Sequence, residues 1–174
     1  AQTWRDFAAP MWVSNDLVIV PAWQELALKS TGPSPIVVRI EPGGAFGLGD
    51  HPTTLLSLRA LRRILDDRAG REVAVIDVGC GTGVIAITAA LLVDRRVRAT
   101  DVASAAVEAT IDNASRNGLG DRVEVDTTDL AAIAADYDVV VANILAPILV
   151  SLAGDLRRVT RADGRLVISG ILAG

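Results

Sequence analysis

The stretch VAVIDVGCGTGVIAI, Val73 to Ile87, decides how the chain is expected to fold. It opens with an apolar run rich in Val and Ile, which is typical of a strand buried on both faces. Three glycines follow at alternate positions, and then a second apolar run of helical character. Glycines between a strand and a helix let the backbone approach a ligand closely. The stretch therefore predicts a strand, a ligand-binding turn and a helix.

The alternation of strand and helix continues outward from this motif. Further strands are predicted at RVRATDV, RVEVDTTD, YDVVVANI and GRLVISGI, and helices at TTLLSLRALRRILDD, SAAVEATIDNASRNG, LAAIAAD and APILVSLAGDLRRVT. Continuous Val/Ile strands separated by helices indicate a parallel sheet covered on both faces. We therefore predict an α/β fold with a doubly wound, mostly parallel sheet. Thr53 or Thr54 is expected to cap the first helix, Asn117-Gly118 to close the helix SAAVEATIDNASRNG, and residues 162–164 to close the last one.

The segment ahead of these elements is irregular. Two short strands are expected, at Leu17–Trp23 and Pro35–Ile40. The stretch GGAFGLGDHPTT, Gly43 to Thr54, follows them and surrounds the single histidine of the chain with glycines. It lacks the Lys of a phosphate-binding P-loop. We interpret it as a flexible cofactor-covering loop in which Phe46 offers an apolar surface. His51 is either a general base or an organiser of the loop.

The glycine spacing after the first predicted strand argues against a dinucleotide. Gly79, Gly81 and Gly83 alternate, and Val84 stands where the dinucleotide fingerprint would have its third glycine. Asp77 lies two positions before the first glycine, close to where a pyrophosphate would rest. Both details favour a ligand with a cationic amino group and no phosphate.

Two further acids follow the next two predicted strands. Asp101 is placed to accept both hydroxyls of a ribose, and Asp129 to receive an exocyclic adenine amine. Ribose, adenine and a charged amino-acid tail together describe S-adenosylmethionine. The alternative is that these carboxylates merely cap loops. Asn143 ends the fourth strand, where a polar side chain must face the ligand crevice or be satisfied in another way.

Composition limits the possible functions. The chain has 174 residues, 51% of them hydrophobic, which suffices for one domain with a sizeable core. The net charge of −4 gives no electrostatic footprint for nucleic acid. No apolar run is long enough to span a bilayer and no leader is evident, so we expect a cytoplasmic protein without membrane contact. Cys80 is the only cysteine, so we expect it to serve as a packing residue and expect no metal site.

Over nearly its whole length the chain resembles the methyltransferase family that modifies the eleventh protein of the bacterial large ribosomal subunit. The matching stretches are PGGAFGLGDHPTT, VIDVGCGTGVIAI, DNASRNG, DVVVANILA and LVISGIL. The glycine motif alone indicates only a methyltransferase, whereas the first and fourth stretches together are quite specific. The resemblance implies a class I, Rossmann-like methyltransferase fold, S-adenosylmethionine as methyl donor, and lysine or N-terminal amines of the ribosomal protein as acceptors.

The resemblance also implies a site and a domain organisation. It places the cofactor against Thr54, Gly79, Asp101 and Asn143, with Phe46 and His51 in the adjoining loop. Residues 1–52 correspond to a linker and the cofactor-covering loop, and residues 53–174 to the cofactor-binding domain. The family adds a recognition domain before this linker and two strands after the fifth, so we expect a chain truncated at both ends. Leu48 replaces the usual Thr, and NILAPI replaces the more usual NILAGP.

Several alternatives remain open. A related family that methylates lysines of the electron-transfer flavoprotein β subunit shares much of the core. A non-catalytic cofactor-binding module is conceivable. A nicotinamide-dependent oxidoreductase is disfavoured by the glycine spacing and Asp77. Enzymes that methylate nucleic-acid amines also carry Asn at the fourth strand, but here Ile144-Leu145-Ala146 follow Asn143 without an aromatic residue to stack on a base.

The inferred reaction is an in-line displacement at an activated methyl group, so the enzyme contributes mainly by positioning, worth roughly 7–11 kcal/mol in well-oriented systems. A protonated lysine cannot attack, and an apolar pocket that already holds a sulfonium favours the neutral amine. We hypothesise that the side-chain carbonyl of Asn143 accepts a hydrogen bond from that amine and aims its lone pair.

Overall fold

The computed structural model of the protein describes residues 9–26, 33–42 and 51–171. In chain order its elements are β1 (Met11–Ser14), β2 (Leu17–Pro21), β3 (Ile36–Ile40), α1 (Pro52–Asp66), β4 (Val75–Val78), α2 (Val84–Leu92), β5 (Val97–Thr100), α3 (Ser104–Arg116), β6 (Val123–Asp126), β7 (Tyr137–Asn143), α4 (Ala146–Val159) and β8 (Thr160–Ser169). A 3-10 turn, Leu130–Ala132, precedes β7. In these described ranges no helix is long and apolar enough to cross a membrane.

The main sheet has five strands in the order β6-β5-β4-β7-β8, and every pair of neighbours is parallel. Within this sheet the chain enters at the central strand β4 and continues outward through β5 and β6. It then adds β7 and β8 on the other side of β4. Strand order therefore reverses between β4 and β7. In such sheets a crevice for ligand opens at the carboxyl ends of the two strands where the order reverses. The prediction of a doubly wound parallel sheet is confirmed.

Alternate side chains of the central strands enter two separate cores. On β7, Val139 and Val141 face one core and Val140 and Ala142 face the other. Helices α1 and α2 pack on the first face, and α4 with the 3-10 turn packs on the second. Because both faces are covered by apolar side chains, the strands read as continuous Val/Ile runs.

The first part of the chain forms a small sheet of its own, in the order β1-β2-β3. The prediction of two strands here was incomplete, because Met11–Ser14 forms a third strand that pairs antiparallel with β2. β1 is only four residues long and its turn to β2 is short, so local patterning gave little signal for it. Val13, Leu17 and Val38 join the same hydrophobic core as α1 and α2.

Three boundaries differ from those predicted. The expected helix over 130–136 is only the 3-10 turn. The last helix ends at Val159 rather than at 162–164, because the Thr160 hydroxyl donates to the Leu156 carbonyl and the chain there joins β8. The first helix is capped by His51, not by Thr53 or Thr54, since Pro52 occupies its first position.

Asn113 of α3 and Asn117, which caps the end of α3, bind the outer edge of β3 and the residue after it. Asn117 accepts a hydrogen bond from the Arg39 N–H and donates one to its carbonyl, both at 2.8 Å. Asn113 binds Glu41 in the same way, at 2.8 and 2.9 Å, and also donates to the Thr82 carbonyl at 3.0 Å. Each side-chain amide thus replaces a neighbouring strand, because it offers one donor and one acceptor in the spacing of a backbone peptide group. This accounts for the DNASRNG stretch.

The substitution Asn113→Asp tests this clamp. A carboxylate can accept from the Glu41 N–H, but it cannot donate to the carbonyls of Glu41 and Thr82, and the site is 1% exposed. We expect the free energy of unfolding to fall by about 2–3 kcal/mol, measured by urea denaturation. Asn15→Asp adds the same charge at an exposed position and is the control. Equal stability of the two variants would contradict the clamp.

Candidate active site

The glycine turn after β4 is built from left-handed residues. Gly79, Gly81 and Gly83 have φ of 72°, 56° and 78°. These conformations are strained for residues with a Cβ, which explains the alternating glycines. The turn is held against β5, because Gly79 N–H and Cys80 N–H both donate to the Thr100 carbonyl, at 2.8 and 3.2 Å.

Two of these glycines also have no space for a side chain. A Cβ at Gly79 would collide with the Ile144 side chain, and one at Gly83 would lie 2.7 Å from Cγ2 of Thr110. A Cβ at Gly170, after β8, would collide with the backbone carbonyl of Ile144. Ile144 is therefore held between the glycine turn and the end of β8. The stretches VIDVGCGTGVIAI, DVVVANILA and LVISGIL thus meet at the carboxyl edge of the sheet.

The two acids nearest the turn have different environments. Asp77 is 1% exposed, and its Oδ2 accepts from the Ala86 N–H of α2 at 3.1 Å. Burial, with a smaller effect from the charge of Asp101, raises the pKa of Asp77 to about 7. Asp101 is half-buried and accepts from the Gly81 and Ala103 N–H groups, both at 3.0 Å. Because Asp77 is buried, it can influence a ligand only through electrostatic interaction. Asp101 is partly accessible and can contact a ligand directly.

Asp129 lies farther from the sheet than predicted. β6 ends at Asp126, whose carboxylate is bound by Arg98 at 2.6 and 2.7 Å. Asp129 is exposed, and its Oδ1 accepts from the Ala131 N–H at 3.0 Å as the cap of the 3-10 turn. Its predicted contact with adenine stays a prediction, and the carboxylate has a second oxygen available for it.

Asn143 lies at the centre of a hydrogen-bonded network at the carboxyl end of β7. Its Nδ2 donates to Oγ1 of Thr54 at 3.1 Å, and its Oδ1 accepts from Oγ of Ser169 at 2.7 Å. Ser169 in turn lies 2.6 Å from Oγ of Ser57. The structure thus brings together Thr54 and Asn143, two predicted site residues from distant parts of the chain. Sequence analysis missed Ser57 and Ser169, although LVISGIL was among the matching stretches.

His51 acts as the N-cap of α1. Its Nδ1 accepts from the Thr53 N–H at 3.3 Å and lies 2.8 Å from the Thr53 hydroxyl. With the Nδ1 lone pair engaged, a neutral ring carries its proton on Nε2. That geometry matches the organising role, because Nδ1 is already engaged within the helix cap. Phe46 and the rest of 43–50 lie outside the described residues.

Cys80 is buried in the glycine turn, with Sγ 3.3 Å from Oγ1 of Thr110. Burial, reinforced by the charge of Asp77, raises the pKa of its thiol to about 12. The group therefore stays a neutral thiol at ordinary pH. This environment suits packing and disfavours a nucleophile.

The strand order, the glycine turn after the central strand and the polar groups at the ends of β5 and β7 define the fold of class I, S-adenosylmethionine-dependent methyltransferases. Within that class, the chain belongs to the Ribosomal protein L11 methyltransferase family, whose sequence model matches residues 1–174. The resemblance inferred from the sequence motifs is confirmed.

Individual relatives agree with this assignment. The chain is 41% identical over 173 residues to the ribosomal protein L11 methyltransferase of an Exiguobacterium species, and 44% identical over 174 residues to that of Geobacter sp. strain M21. It covers 53% and 56% of those two proteins, about half of their length. A crystal structure of ribosomal protein L11 methylase from Lactobacillus delbrueckii subsp. bulgaricus superposes with a TM-score of 0.80 at 33% identity, covering 94% of this chain and 81% of that one.

Asp77 makes stability depend on pH. Its pKa is about 7 in the folded protein against 3.8 as the ordinary value, so the folded state holds the proton more tightly and stability falls as pH rises between these values. We expect about 2 kcal/mol of loss between about pH 5.5 and 8 from this group, and none from it in Asp77→Asn. Urea unfolding at both pH values measures the difference. The exposed Asp112→Asn is the control and should keep the wild-type slope.

A cap and a base respond differently to substitution at His51. His51→Ala should lower the free energy of unfolding by about 1 kcal/mol, because the cap is lost, while His51→Asn should restore it. We expect both variants to keep most of the turnover of a methyl-transfer assay. A similar large loss of turnover in both, with an altered pH profile, would instead identify a general base.

Proposed function

We propose that this chain is the catalytic part of an S-adenosylmethionine-dependent methyltransferase that modifies lysine or N-terminal amines of ribosomal protein L11. Membership of the family supports the reaction and the substrate. The single structural observation that carries the proposal is the position of Asn143, beside the glycine turn and bonded to Thr54. Such an enzyme would act in the cytoplasm, on a protein partner rather than on nucleic acid or membrane.

The residues present fit the cofactor. In the left-handed turn Gly79 and Gly81 are half-buried, so their backbone could contact the methionine end of the cofactor, and no Lys or third dinucleotide glycine marks a phosphate site. Asp101 would bind the ribose hydroxyls with oxygens that also order the turn. The negative charge of Asp101, with that of the partly ionised Asp77, would favour the cationic ligand. When bound, S-adenosylmethionine supplies an electrophilic methyl group.

The chain's own contribution is to orient the acceptor amine. An amide oxygen has two lone pairs, and Ser169 uses one lone pair of Asn143 Oδ1. The second can accept from a neutral amine and direct its lone pair toward the methyl carbon. No base among the described residues is needed at the amine, because its proton can leave to solvent before attack. His51 supports the helix that carries Thr54.

Calorimetry tests the cofactor assignment. We expect the chain to bind S-adenosylmethionine and not a nicotinamide dinucleotide. Asp101→Asn should weaken cofactor binding by roughly tenfold or more, since a charged hydrogen bond contributes about 1.5–3 kcal/mol. Glu108→Gln, exposed on α3, is the control for charge. Preferential binding of the dinucleotide would overturn the assignment.

Mass spectrometry of methylated proteins tests the substrate. L11 and the electron-transfer flavoprotein β subunit should each be incubated with the chain and cofactor. We expect methyl groups on amines of L11, and a much lower rate with Asn143→Ala even at saturating cofactor. Methylation of the flavoprotein alone would favour the related family. Tight cofactor binding without methylation of any protein would indicate a binding module.

A further inference from the structure

The carbonyl oxygen that we assign to the acceptor amine already has a protein partner. Ser169, at the end of β8, places its hydroxyl 2.7 Å from Oδ1 of Asn143. Ser57 on α1 is 1% exposed, and its Oγ lies 2.6 Å from Oγ of Ser169. The amide therefore has a partner at each end, Thr54 at Nδ2 and Ser169 at Oδ1.

These partners do not by themselves distinguish the two ends of the amide. Thr54 and Ser169 both present hydroxyls, and a hydroxyl can donate or accept. Rotating the amide by half a turn would exchange its oxygen and nitrogen while keeping both contacts. Only the direction of the hydroxyl protons decides which end faces which neighbour.

Counting protons leaves two possible arrangements of these hydrogen bonds. Ser57 has one proton and two acceptors within reach, Ser169 Oγ at 2.6 Å and the Thr53 carbonyl at 2.9 Å. If it donates to Ser169, then the Ser169 proton goes to Oδ1 of Asn143, and Nδ2 donates to Thr54. If it donates to Thr53, Ser169 must donate back to Ser57 and would need the nitrogen end of Asn143. The Ser57–Ser169 contact is shorter than the Ser57–Thr53 contact, which favours the first arrangement, with Oδ1 of Asn143 facing Ser169.

We propose that Ser169 is a positioning residue for methyl transfer, which Ser57 orients and which holds the carbonyl of Asn143 toward the acceptor amine. The hydrogen bonds run in one direction, from Ser57 to Ser169 to Asn143 to Thr54, so each strengthens the next. The arrangement joins α1, β7 and β8. It leaves one lone pair of Oδ1 and one proton of Nδ2 for the ligand. This inference rests on the proposed function of Asn143.

Ser169→Ala removes the donor to Oδ1 and tests the proposal. We expect turnover to fall roughly 10- to 100-fold, because a small misplacement of an orienting group has effects of that size. The dissociation constant of S-adenosylmethionine should stay within about twofold of wild type. Ser169→Thr keeps the hydroxyl and should recover most of the turnover. Ser151→Ala is the matched control, since this exposed serine of α4 donates to the Ile148 carbonyl and not to a residue of the network.

A second measurement follows the hydrogen bonds of Asn143 by NMR and does not depend on methyl transfer. The side-chain amide signals of Asn143 can be assigned in a 15N–1H spectrum of the labelled chain by comparison with Asn143→Ala. We expect them to shift in Ser169→Ala, to shift less in Ser57→Ala because the Ser169 hydroxyl remains, and to stay in place in Ser151→Ala. If wild-type chain methylates nothing, the proposed function fails, while this spectrum still tests the role of Ser169.

Two results would overturn the proposal. The first is an Asn143 amide signal that does not move in Ser169→Ala. The second is a loss of turnover that Ser169→Thr fails to recover, together with weaker binding of the cofactor and a lower melting temperature in both variants. Either result would show that Ser169 contributes to packing only.

Discussion

The carboxyl edge of the sheet depends on the close approach of Ile144 to Gly79. A side chain at Gly79 would strike Ile144, and its φ of 72° would also be strained. Gly170 meets the backbone of the same residue from the other side. Asn143 precedes Ile144 and Ser169 precedes Gly170. Asn143 and Ser169 are also opposite each other in the register of β7 and β8, so their side chains come within hydrogen-bond distance at the same place. The steric requirement for glycine and the polar network therefore lie at the same place, where the ends of β7 and β8 meet the glycine turn.

The fold was predictable because its signals are local. Strands buried on both faces must be apolar throughout, and helices on a sheet show a 3.6-residue period, so both patterns are visible in short windows. The errors occurred where a non-local contact or one residue's geometry decides the outcome. β1 is a strand because β2 pairs with it, and Pro52 moved the helix cap to His51. Neither effect is visible in periodicity.

The site was predictable in part for the same reason. Asp101 follows β5 and Asn143 ends β7, and the carboxyl ends of parallel strands share an edge, so topology alone brings them near the turn. Ser57 and Ser169 are 112 positions apart and meet only through side-chain rotamers. Serine in a helix or a strand is common and carries no pattern of its own. The roles of Ser57 and Ser169 can be inferred only from the structure, by assigning which hydroxyl donates to which acceptor.

The segment before residue 53 is connected to the site by both apolar and polar contacts. β3 shares a hydrophobic core with α1 and α2. The division of the chain into a linker segment, 1–52, and a cofactor-binding domain, 53–174, stays a prediction. Asn113 donates both to Glu41, beyond the end of β3, and to Thr82 in the glycine turn. One buried amide thus fixes the backbone of the turn relative to the small sheet. A displacement of β3 would have to break a buried hydrogen bond or move the turn with it, so the order of the glycine turn depends on packing of the preceding segment.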